Sequence, residues 1–200
     1  MMEKQHYFDR LSSGWHENNS LTIRERELLR DVLPPGELSR GGVVLDLGGG
    51  TGRLVEFLLA DYPLCCLVLD LSYGMLKEGC RCYGHPSAVR IQADACRLPF
   101  SGESVRCIFS FCSFPHFDRQ EEVLRECRRV LVPSGVFVIL HSCSREEINR
   151  FHALQSAPVA NDRLPSLERF RDWGTALRWI PERLENSPQR FLVRYRKPPV

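Results

Sequence analysis

Along the chain, short and nearly continuous apolar runs alternate with stretches in which apolar residues recur every three or four positions. That alternation predicts strands covered on both faces, separated by amphipathic helices. Residues 43–46 (VVLD), 66–70 (CLVLD), 89–93 (VRIQA), 105–111 (VRCIFSF) and 136–141 (VFVILH) are the predicted parallel strands. Between them Leu54, Phe57 and Leu58 share one helical face, as do Val123, Leu124, Cys127 and Leu131. Ser72 is placed to cap a helix that carries Met75 and Leu76, and Ser144-x-x-Glu147 is a capping-box pattern opening a helix with Ile148 and Phe151 inward. Residues 20–33 predict a leading amphipathic helix that stops at Pro34-Pro-Gly36. After Pro158 the pattern changes to a loop at 161–165, a short helix over 166–173, and strands at 176–180 and 190–195. A break at Pro181 and a turn at 186–188 lie between the two strands. The expected class is therefore α/β, a mostly parallel sheet with helices on both faces and an antiparallel final strand.

Composition changes this picture little. The 200 residues are 43% hydrophobic and 26% charged, which excludes disordered, collagenous and low-complexity classes. One domain is expected, with residues 1–35 as an N-terminal lid and helix, 40–141 as the core, 142–175 as a roof and 176–200 as a terminal strand pair. The net charge of +2 calls for neither nucleic acid nor an anionic membrane, and no apolar run approaches the roughly 20 residues of a membrane span. From Arg163 onward nine basic residues face four acidic ones, but they are interleaved with Leu, Phe and Trp, as on a solvated face around a packed hairpin. The nine cysteines, with no secretory pattern ahead of them, are expected to be reduced thiols in a cytoplasmic protein.

The most informative stretch is residues 43–54, VVLDLGGGTGRL, where a buried strand ends in Gly48, Gly49, Gly50 and Gly52 and passes into a helix. Glycines at such a junction let the chain turn tightly and let a ligand approach the backbone amides. The dinucleotide spacing G-x-G-x-x-G fails because Arg53 stands at its third glycine, and the phosphate-loop spacing is absent.

Asp46 followed by Gly48, Gly50 and Gly52 resembles the first motif of the class I S-adenosylmethionine-dependent methyltransferases. Val68-Leu-Asp70-Leu71-Ser72-Tyr-Gly-Met75 resembles their second motif, and Asp70 lies 20 residues beyond Gly50, the spacing a βαβ unit gives an acidic residue that reaches a ribose. Residues 92–100 resemble the third motif, and residues 128–137 the turn before strand five. The four run in family order from about Tyr7 to Val138, closest to the quinone-biosynthesis C-methyltransferase type of small-molecule enzyme. The resemblance implies a Rossmann-like seven-stranded sheet and S-adenosylmethionine as cofactor. It implies that Asp46, Gly48, Gly50 and Gly52 shape the methionine site, Asp70 meets the ribose with Leu71 and Met75 nearby, and Asp94 with Ala95 reads the adenine, Ser110 completing the set. It also implies an aromatic lid from Tyr7, Phe8 and Trp15. Arg106 departs from the pattern, standing where the family carries an aspartate before strand four.

Ligands of open α/β sheets bind beyond the carboxyl ends of the strands, which here carry Asp46, Asp70, Asp94, the 110–116 loop and His141. His116 and His141 are the candidate bases for an acceptor that must lose a proton. Arg145, Asn149, His152 and Arg163 are expected to roof the acceptor site and to suit an anionic or polar acceptor. Cys80, Cys82 and His85, even with Cys65 and Cys66, lack zinc-site spacing, so no metal is expected; Cys112 and Cys143 fall near the rim. The expected activity is methyl transfer to a small molecule, the alternatives being a catalytically inactive cofactor-binding partner protein and a nicotinamide oxidoreductase.

Overall fold

The computed structural model describes residues 2–33, 35–39 and 41–199. Seven strands, β1 (Gly42–Leu47), β2 (Leu64–Asp70), β3 (Ala88–Gln92), β4 (Val105–Phe111), β5 (Leu131–His141), β6 (Ile180–Ser187) and β7 (Arg190–Arg196), form one sheet in the order 3-2-1-4-5-7-6. Strands β1 to β5 pair in parallel, and β7 enters antiparallel between β5 and β6. The helices among the described residues are α1 (Met2–Leu11), α2 (Trp15–Asn18), α3 (Ile23–Val32), α4 (Pro35–Leu38), α5 (Val55–Asp61), α6 (Tyr73–Cys82), α7 (Gln120–Val130), α8 (Arg145–Ala153) and α9 (Leu167–Ala176).

The period of two along each strand divides the core between the two sheet faces. Leu45, Leu47, Ile108, Phe137 and Ile139 pack with Val123, Leu124 and Cys127 of α7 and Phe170 of α9. Val44, Cys66, Val68, Cys107, Phe109 and Val138 pack on the other face with Leu29 and Val32 of α3, Phe57 and Leu58 of α5 and Leu76 of α6. Cys66, Cys107 and Cys127 thus serve as small buried side chains in the core, and none of the nine cysteines is in a disulfide. Both capping patterns are present: the Ser72 hydroxyl accepts from the Met75 amide, and Ser144 and Glu147 form a reciprocal box.

Four local expectations fail. Residues 176–180 are not a strand, because α9 runs through Ala176 and Arg178 turns at φ 54°, so the strand begins at Ile180. Pro181 does not break the chain; it sits in edge strand β6, opposite Tyr195 of β7 and beside a register shift, a place where sheets tolerate proline. The turn is therefore later than 186–188, with Ser187 still paired to Arg190. Phe151, expected inward on α8, is 61% exposed.

The basic C-terminal stretch is laced into ion pairs. Arg183 and Arg190 meet Asp31 and Glu185, while Arg194 and Arg196 meet Glu182. Among the described residues, no helix is long and apolar enough to cross a membrane.

Candidate active site

Beyond the carboxyl ends of β1, β2, β4 and β5 lies a cavity of about 710 Å³, within the roughly 300–1,000 Å³ usual for ligand sites. One part of its wall is the glycine turn. Gly48 and Gly50 have φ of 68° and 56°, and a Cβ at Gly49 would stand 2.6 Å from the Asp46 carboxyl carbon. A Cβ at Gly50 would meet nothing within 4 Å, so that backbone faces open space. A side chain could not replace this turn without strain or collision.

Three carboxylates ring the same part. Asp46 is buried, and its Oδ2 has no hydrogen-bond partner among the described residues. Burial, and then the neighbouring Asp70 charge, push its pKa up to about 7. Asp70 accepts from the Gly50 amide through Oδ2 and from the Ser72 amide through Oδ1, both at 2.8 Å, so it fixes the glycine turn against the start of α6. Burial raises its pKa also, against those two hydrogen bonds. Asp94 accepts from the Cys96 amide at 2.9 Å and from Arg119 at 3.1 Å. Leu71, Met75 and Ala95 lie on the wall with them.

Gly52 and Ser110 lie off the wall. At Gly52 the need is conformational, with φ 85° and Val55 3.1 Å from a built Cβ. Ser110 is fully buried beneath Ser113, their hydroxyls 2.8 Å apart, and Ser113 is the one that reaches the cavity.

The wall of the same cavity carries three histidines, His116, His141 and His152. His116 Nδ1 lies 2.6 Å from Asp162 Oδ2, a pairing that fixes the imidazole tautomer and directs chemistry to Nε2. The rings of His116 and His152 meet edge to face at 4.9 Å between centroids. Burial, reinforced by the other two histidines, lowers His141 to about 3, and burial followed by the His116 charge lowers His152 to about 4. Both are neutral imidazoles at physiological pH, with His141 Nε2 and His152 Nδ1 buried and without hydrogen bonds among the described residues.

The N-terminal segment closes the cavity. Phe8 and Trp15 line it, while the Asp9 carboxylate accepts from the Ser72 hydroxyl at 2.6 Å and the Gly74 amide at 2.8 Å. Lys4 reaches across to Asp118 at 2.5 Å, Asp162 at 2.6 Å and the His116 carbonyl at 3.0 Å. Burial alone would lower its pKa, but the bonds to Asp118 and Asp162 outweigh that and raise it.

The expected basic roof is not on the wall. Arg145 and Asn149 donate to the Leu164 carbonyl and Arg163 to the carbonyls of Ala160 and Asp162, so all three hold the 160–164 loop in place. Only His152 of the four faces the cavity, joined by Ile148 and the exposed ring of Phe151. Lys4 and Asp162 were missed from the sequence, since they lie 112 and 46 residues from His116 and no local pattern links them. Arg106 sits at the far end of β4, beside Gly42, away from this cavity.

Residues 45–139 match the methyltransferase domain family. Over 95 residues the chain is 40% identical to the malonyl-[acyl-carrier protein] O-methyltransferase of Methylococcus capsulatus, covering 46% of this chain and 34% of that protein. It is 30% identical over 158 residues to the ubiquinone/menaquinone biosynthesis C-methyltransferase of Bartonella quintana, covering 73% and 58%. The chain thus spans between about a third and about three-fifths of these relatives. Among solved structures, an S-adenosylmethionine-dependent methyltransferase from Aquifex aeolicus shares the fold with a TM-score of 0.69 at 16% identity, covering 96% of this chain and 98% of that one. The motif order, the sheet order and the matched domain together make the chain a member of the class I S-adenosylmethionine-dependent methyltransferases.

Proposed function

We propose that the chain transfers the methyl group of S-adenosylmethionine to an uncharged small molecule bearing an acidic O–H or N–H, with His116 as the base. The observation that carries this reading is the His116–Asp162 pair, 2.6 Å apart, on the wall of the same cavity as the glycine turn.

The cofactor end fits the residues present. The unpartnered Asp46 carboxylate suits a cationic group, and the open space at Gly50 admits a ligand against its amide. Asp46 with Gly48 and Gly50 would hold the methionine portion, Asp70 the ribose, and Asp94 with Ala95 the adenine. When bound, S-adenosylmethionine supplies an electrophilic methyl carbon on a sulfonium, so the protein has chiefly to align the acceptor atom and exclude water. Phe8 and Trp15 serve the second task. His116 Nε2 would take the proton that the acceptor loses on methylation. Asp162 would then steady the imidazolium, and Lys4, 2.6 Å from it, holds Asp162 in place.

An uncharged acceptor follows from the pairing of the cations. Lys4, Arg53 and Arg119 line the cavity, and each already meets a carboxylate, of Asp162, Glu25 and Asp94 respectively. Phe8, Ile148 and Phe151 add apolar surface.

The test is transfer of labelled methyl from S-adenosylmethionine into a fractionated cell extract. Label in a neutral, low-molecular-weight product, dependent on the protein, supports the proposal. Cofactor binding without label transfer favours the inactive binding protein, and label in an anionic product overturns the uncharged acceptor.

A further inference from the structure

A second cluster lies on the outer side of the lid. Helix α2 turns Trp15 into the cavity and lays the next residue, His16, on α6. There it meets Glu78 and Cys82, which share a face of α6 because they are four residues apart. His16 Nδ1 stands 3.1 Å from Glu78 Oε1, and Cys82 Sγ stands 3.5 Å from the same oxygen. One donor atom from each of the three lies within 4.8 Å of the other two. Yet His16 Nδ1 is buried and makes no hydrogen bond among the described residues, so its 3.1 Å approach to Glu78 is a close contact without hydrogen-bond geometry.

We propose that His16, Glu78 and Cys82 form a binding site for a divalent, zinc-like transition metal ion that clamps the lid onto α6. A tetrahedral ion with nitrogen, oxygen and sulfur ligands at about 2.0–2.3 Å places those ligands roughly 3.3–3.6 Å apart, and the observed separations are close to that. An imidazole, a carboxylate and a thiolate together suit zinc, and they disfavour magnesium and calcium, which take oxygen ligands. Binding forms the metal–sulfur bond as the Cys82 proton leaves to solvent, and a water fills the fourth position. Arg81, which donates to both Glu78 oxygens, has a side chain 67% exposed and can swing into solvent to yield one of them, while the Glu78 side chain stays largely covered. The cysteine pattern at 80–82 is absorbed only in part. Cys80 is exposed to solvent and His85 Nδ1 accepts from the Ser87 amide, so neither joins the site.

Because Trp15 and Asn19 flank His16 and both line the cavity, an ion here would hold the lid shut over a bound ligand. The experiment is titration of the metal-free protein with cobalt(II), followed by displacement with zinc. The expected result is one saturable site with a near-ultraviolet thiolate-to-cobalt absorption band. The band should be lost in Cys82→Ser, and affinity should fall at least about tenfold in His16→Ala and in His16→Asn, with circular dichroism unchanged. Zinc should also slow S-adenosylhomocysteine release from the wild type but not from Cys82→Ser. Absence of saturable binding, binding without the thiolate band, or binding unchanged in the variants would overturn the site. The thiolate band with unaltered release would overturn the clamp.

Discussion

Asp46→Asn separates what a buried charge does for binding from what it does to folding. The side chain is 2% exposed, and burial with the adjacent Asp70 raises its pKa from 3.8 to about 7. Between those values the native state keeps a proton that the unfolded chain has released, so without a ligand stability falls as pH rises from about 4 and levels off above about 7. At about 1.4 kcal/mol per pH unit the whole loss is about 4 kcal/mol. Asparagine has the same shape and no charge, so it removes this penalty. Urea unfolding of the ligand-free protein should show Asp46→Asn gaining on the wild type by about 3 kcal/mol between about pH 5 and about pH 7, with the gain constant above that. Binding should move the other way. A cationic ligand favours the carboxylate, so wild-type affinity for S-adenosylmethionine should rise with pH through about 7, while the variant binds at least about tenfold more weakly and without that pH dependence. Parallel stability curves, or a variant less stable throughout, would refute the reasoning.

Other positions give independent checks. Asp162→Asn should lower kcat by about 10²-fold or more by disturbing the His116 tautomer, with little change in cofactor affinity measured by calorimetry. Lys4→Met leaves Asp118 and Asp162 without their shared cation, and limited proteolysis should show α1 cleaved faster than in the wild type. Gly79→Ala would bring a Cβ to 2.2 Å from the Thr51 carbonyl oxygen, a backbone collision that should cost about 2 kcal/mol or more by thermal unfolding and weaken cofactor binding with it.

The parallel core was legible because β1, β2 and β4 are buried on both faces, which forces near-continuous apolar runs that sequence shows directly. The glycine turn was legible for a similar reason, since positive φ and close approach at Gly48 and Gly50 leave a compositional mark. The C-terminal hairpin was misplaced where a left-handed residue, Arg178, and an edge-strand proline, Pro181, imitate the opposite of what they do. The acceptor wall was read only in part. His141 ends β5 and His116 ends the short 3-10 turn at Phe114–His116 that follows β4, so both lie on the carboxyl side of the sheet, where position alone makes them candidates. The pairing of His116 with Asp162 and Lys4 is assembled from segments far apart in sequence, and the roof arginines spend their hydrogen bonds on loop carbonyls, which residue type does not reveal.

The most direct test of the central claim, that one cavity aligns a cofactor at the glycine turn with an acceptor at His116, is acceptor-dependent release of S-adenosylhomocysteine by the wild type and by His116→Asn at matched cofactor saturation. The account predicts unchanged cofactor affinity and turnover reduced by about 10²- to 10⁴-fold in the variant, with the pH dependence of the base abolished. Equal turnover and the same pH profile in both proteins would contradict it.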